Sequence, residues 1–64
     1  MTLREKMVIY RAKYRLTQAE LAEKCGLSTL TINLVETGKQ TPSKVTYAKI
    51  ALVVGGVEDE NIGK

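Results

Sequence analysis

Residues 18 to 37 read Gln18-Ala-Glu-Leu-Ala-Glu-Lys-Cys-Gly-Leu-Ser-Thr-Leu-Thr-Ile-Asn-Leu-Val-Glu-Thr37, and the spacing of small, apolar and glycine positions in that stretch decides the fold. Two short helices can cross closely only where a small side chain sits at the crossing, and Ala22 occupies that place. Gly26 makes the turn between them. The second helix must return apolar residues to the first, and Ile32 and Val35 do so from one helical face, three residues apart.

The flanking residues punctuate the same pattern. Thr17-Gln-Ala-Glu20 and, further upstream, Thr2-Leu-Arg-Glu5 match the capping box, in which a Thr hydroxyl and a Glu carboxylate satisfy helix-start N–H groups reciprocally. Ser28 caps the third helix. Leu16 with Leu21, and Leu27 with Ile32, have the spacing of hydrophobic staples that bracket a cap from both sides. A first helix is predicted from Leu3 to Lys13, burying Leu3, Met7 and Tyr10, with Arg11 beside that stripe. The third helix ends near Thr37-Gly38, glycine being the residue that accepts a left-handed stop. The loop Lys39-Gln-Thr-Pro-Ser43 follows, and Pro42 cannot continue the earlier helix. Ser43 caps a fourth helix reaching Val54, with Tyr47, Ile50, Ala51 and Val54 inward, and Gly55-Gly56 stops it. A last short turn over Glu58 to Ile62 places its acids at a helix N-terminus, where the dipole favours them. No segment alternates with a strand's period of two, so the expected class is all-α, with four or five helices.

A length of 64 residues predicts one domain spanning 1–64, with the two-helix motif at about 17–37, and leaves no room for a second catalytic or oligomerisation domain. The chain has no His, Trp or Phe and one Cys, so it offers no zinc tetrad, imidazole base or disulfide pair. No metal and no cofactor are expected. Cys25, following Leu21 on the inner face, reads as a small core residue. No apolar run approaches the roughly 18 residues of a membrane span and no signal-peptide segment opens the chain, so a cytoplasmic protein without a membrane partner is expected. The net charge is +3, but three of the seven acids are Glu58, Asp59 and Glu60; residues 1 to 57 carry nine Lys or Arg against four Glu. A basic body of this kind suits a polyanion.

The block Leu16 to Gly26, followed by Ser28, Ile32, Glu36, Gly38, Pro42-Ser43, Thr46 and Lys49-Ile-Ala51, resembles the phage repressor and Cro family of helix-turn-helix proteins, the XRE class. The likeness covers roughly residues 3 to 57, and Glu-x-Gly-x-x-x-Pro-Ser with Lys-Ile-Ala forms a second signature independent of the helix-turn-helix. It implies a compact, lambda-repressor-like five-helix bundle whose third helix enters the major groove of double-stranded DNA. It also implies that Gln18 meets the DNA backbone and braces the third helix. Thr29, Leu30, Thr31 and Asn33 would form the exposed opening of that helix, where base and phosphate contacts cluster. Lys39, Gln40, Thr41, Ser43 and Lys44 match the loop that clamps phosphates and sets register. Arg11 and Glu36 resemble a partly buried, bidentate pair that orients the third helix.

The chain departs from the family at the reading face. No Arg, Lys or Gln stands between Ser28 and Thr37, so Asn33 is the one side chain there suited to bidentate base contact. Leu30 and Leu34, four apart, offer methyl groups to thymine or mark a patch for a protein partner. The leading expectation is a sequence-specific transcriptional repressor of the Cro type, a homodimer on an inverted repeat, with no small-molecule ligand evident. The alternative is an antitoxin or antirepressor of the same fold that acts on a partner protein. Val53, Val57 and Ile62, or Val8, Ile9 and Val45, are the candidate dimer surfaces. An enzyme is disfavoured because the body's acids, Glu5, Glu20, Glu23 and Glu36, form no acid–base constellation.

Overall fold

A hydroxyl side chain opens each of the four helices among the described residues. In the computed structural model, which describes residues 2–55, these are α1 (Leu3–Tyr14), α2 (Gln18–Cys25), α3 (Thr29–Glu36) and α4 (Lys44–Val54). Thr2, Thr17, Ser28 and Ser43 accept from the N–H three residues on, at 3.1–3.2 Å. In the first two, Glu5 and Glu20 return the contact to the Thr N–H at 2.8 Å, completing both capping boxes. Each cap contributes about 1 kcal/mol, which matters for helices of two or three turns.

The stops are also local. Gly26 ends α2 at φ 72° and Gly38 follows α3 at φ 77°, in the left-handed region that glycine enters without strain. α1 runs one residue beyond the predicted Lys13, and its cap is Arg15 at φ 56°, the one non-glycine positive φ among the described residues. Leu16 N–H then reaches back to the Arg11 carbonyl at 2.8 Å. No glycine marks this stop, which is why the sequence placed it imprecisely.

The core consists of Met7 from α1, Leu21, Ala22 and Cys25 from α2, Ile32 and Val35 from α3, and Ile50 and Val54 from α4, all buried. Leu3, Tyr10, Leu27 and Val53 pack around it. α2 and α3 share the most extensive contact, with Ala22 2 % exposed at their junction. Burial raises the Cys25 thiol above its ordinary pKa, so it stays a neutral, inert core group.

Two expectations need correction, and another falls on residues that the structure does not describe. Tyr47, expected inward, is half exposed: it lines a groove with Leu3, Thr41 and Pro42, and its ring covers the loop rather than filling the core. Its hydroxyl keeps water that a core position would deny it. Val53, named as a dimer residue, packs against the core, while its neighbour Leu52 is 87 % exposed. Gly56, Val57 and the turn over Glu58 to Ile62 lie outside the described residues.

Candidate nucleic-acid interface

α3 turns two faces to different surroundings. Ile32 and Val35 are fully buried, and the opposite side carries Thr29, Leu30, Asn33 and Leu34 at i, i+1, i+4 and i+5. Leu30 is 65 % exposed; Asn33 and Leu34 are half-buried. Thr31 stands to one side, its hydroxyl 2.9 Å from that of Ser28, so it reinforces the cap. The face is short and uncharged, half aliphatic and half polar.

A chain of hydrogen bonds behind that face holds α3 in place. Glu36 Oε1 takes Arg11 Nη1 from α1 at 3.1 Å and Gln18 Nε2 from α2 at 3.1 Å. Asn33 Nδ2 in turn donates to Gln18 Oε1 at 3.3 Å. The Glu36 side chain is 6 % exposed and that of Arg11 25 %, so the pair is largely out of water. The pair is not bidentate as expected. One contact joins the ions, Gln18 shares the same Oε1, and Arg11 Nε and Glu36 Oε2 are buried without a partner among the described residues. Such a pair orients α3 more than it stabilises the fold, since desolvation offsets much of the attraction.

Arg4 was missed by the sequence reading. Its Nε donates to the Glu36 carbonyl at 3.2 Å, and its guanidinium lies where a Cβ on Gly38 would come within 2.9–3.2 Å. Two arginines of α1 therefore meet the carbonyl end of α3, where a helix dipole favours positive charge. The available signal was their spacing: Arg4 and Arg11 are seven apart, on one face with Met7 between them.

Lys39, Gln40, Thr41, Ser43 and Lys44 are all exposed. Lys39 and Gln40 N–H groups both close back on the Leu34 carbonyl, at 2.9 and 3.2 Å, which ties the loop to α3. Ser43 serves first as the α4 cap and donates its hydroxyl to Thr46 Oγ1 at 3.1 Å. Gln18 is half-buried at the first position of α2. Thus the N-termini of α2, α3 and α4 carry polar side chains, with exposed Lys39 in the segment joining α3 to α4 and exposed Lys44 at the first position of α4. Among the described residues no group of His, Cys, Asp or Glu could hold a metal ion, and no helix is long and apolar enough to cross a membrane.

Comparison with known proteins agrees with the all-helical fold. A family model described as "Helix-turn-helix" matches residues 9–59. An uncharacterised HTH-type transcriptional regulator of Methanocaldococcus jannaschii is 43 % identical over 53 residues, covering 83 % of this chain and 80 % of the relative. Two uncharacterised HTH-type transcriptional regulators of Archaeoglobus fulgidus are 43 % and 40 % identical over 58 residues, each covering 89 % of this chain and 83 % and 82 % of the relative respectively. No solved structure matches the chain.

Proposed function

The chain belongs to the helix-turn-helix family of DNA-binding transcriptional regulators, in its XRE class, and from that premise we propose that it is a sequence-specific repressor of the Cro type. Residues 1–64 act as one DNA-binding domain. α3 enters the major groove, Thr29, Leu30 and Asn33 meet base edges, and Thr31 supports the turn beside them. Gln18, Lys39, Gln40, Thr41, Ser43 and Lys44 clamp phosphates on either side. The observation that carries this reading is the exposed outer face of α3, locked in orientation by Glu36 and continuous with a loop bearing Lys39 and leading to Lys44 at the start of α4.

Repression follows from occupancy of an operator, in the cytoplasm, with no catalytic role. A homodimer on an inverted repeat is part of the proposal, half-sites lying about one helical turn apart. The outer face of α4 supports it: Val45 and Leu52, 65 % and 87 % exposed, are seven residues apart and share one side of the helix. Val8 and Ile9 on α1, 49 % and 41 % exposed, form a second apolar surface.

Selection of bound duplexes from a random pool at moderate salt tests the proposal. A palindromic consensus is expected; a complete lack of enrichment overturns it in favour of a protein partner docking on Leu30. With the selected site, Lys39→Ala should weaken binding to all sequences similarly and reduce the salt slope by about 1. An unchanged slope would remove Lys39 from the phosphate clamp.

A further inference from the structure

The hydrogen-bond chain behind α3 has a direction. Arg11 can only donate, so Glu36 Oε1, 3.1 Å away, is an acceptor there. Gln18 faces that same oxygen at 3.1 Å and must therefore turn its NH2 toward it, leaving Oε1 on its other side. Asn33 meets that Oε1 at 3.3 Å and has to present its own NH2. Each amide is thus oriented by the one before it, starting from a charge carried by α1. Asn33 Oδ1, at the free end, accepts nothing from the described residues. Asn33 sits between Thr29, Leu30 and Leu34 on the outer face, so the chain ends at the surface that faces DNA in the proposed function, on which this inference rests.

We propose that Glu36, acting through Gln18, sets the amide orientation of Asn33, so that Asn33 offers its Oδ1 as an acceptor and α3 selects a base through an exocyclic amino group, cytosine N4 or adenine N6. An unsupported asparagine turns its amide to suit either a donor or an acceptor on the base edge. Here the wrong orientation sets Asn33 Oδ1 against Gln18 Oε1, and that restraint lasts only while Glu36 holds the Gln18 NH2 toward itself. Glu36 and Gln18 are positioning residues in this scheme, and Asn33 is the specificity residue.

The test uses the full chain and duplexes carrying the selected consensus. Asn33→Ala should erase preference at one position per half-site. At that position, purine in place of adenine, or pyrimidin-2-one in place of cytosine, removes the amino group. It should weaken binding by the native protein roughly 5-fold more than binding by Asn33→Ala, the low end expected for a specific base contact. Glu36→Ala removes the oxygen that accepts from both Arg11 and Gln18, frees the Gln18 amide to turn, and should narrow the gap between amino-bearing and amino-less bases there. Gln18→Ala should do the same on top of a general loss of affinity, and it leaves the ion pair intact should Glu36→Ala not fold. A consensus with no position sensitive to Asn33→Ala, or a sensitive position indifferent to the amino group, overturns the inference while DNA binding stands. Absence of any enriched sequence with the native chain overturns both together.

Discussion

The inner and outer faces of α3 are built on opposite terms. Inside, Ile32 and Val35 are fully enclosed, and the helix end is held by Arg11, Arg4 and Gln18 from two other helices. Outside, Leu30 is 65 % exposed and Thr29 has solvent over it, with no protein partner shaping either one. The inner face is over-determined, since each residue is fixed by several neighbours. The outer face is constrained only by what it is to touch. A scaffold divided in this way keeps its orientation while the residues of its outer face change, because the two sets of side chains share few contacts. Asn33 is the exception, belonging to both.

The sharpest way to break this contrast is to attack the inner face. Ile32→Ala should destabilise the fold by roughly 3–4 kcal/mol, most of what so small a chain holds, measured as a fall in the urea midpoint. A loss below about 1 kcal/mol would mean that α3 is not anchored through its core side. Next comes Arg11→Ala, which strands the largely buried Glu36 carboxylate. Breaking a fully buried pair costs roughly 3–5 kcal/mol, and a smaller loss of about 2–3 kcal/mol is expected because Arg11 keeps 25 % exposure. Thermal unfolding checks it, and an unchanged melting temperature would count against the pairing.

Gly38→Ala probes the helix stop where the inner lock meets the outer loop. A left-handed φ of 77° on an alanine should cost about 1–2 kcal/mol, and Arg4 must withdraw from its place over the glycine. Loss of stability without change in the loop's exchange protection would separate the strain from the Arg4 contact. The smallest effect is expected on the outer face: Leu30→Ala should change stability by less than about 0.5 kcal/mol while altering base preference in the selected site. Equal losses of stability from Leu30→Ala and Ile32→Ala would abolish the distinction between the two faces.

Much of this was legible in the chain. Thr2 with Glu5, Thr17 with Glu20, Ser28 and Ser43 announced all four helix starts because capping chemistry acts within three residues. Met7, Leu21, Cys25, Ile32, Val35 and Ile50 were readable as core from helical spacing. Tyr47 was not, because the same spacing holds for a residue that lies over a loop as for one that enters the core. Arg15 was not read as a helix stop either, since it adopts a glycine's conformation without being glycine. The Arg11 and Glu36 pair came from family likeness, and its single-contact geometry from the packing.

What the sequence determined by itself is local: where helices begin, where glycine lets them stop, and which stripe of each is apolar. Those features depend on interactions within a few residues, and the residue types state them directly. Only the tertiary structure decided how Asn33, Gln18, Glu36, Arg11 and Arg4 meet, because their partners lie 15 to 32 residues apart in the chain. The physical reason is that a polar side chain carries both a capacity to donate or accept and a reach of several ångströms. Its identity alone does not say which neighbour it will meet, and the close approach of α1, α2 and α3 over one small core makes that choice.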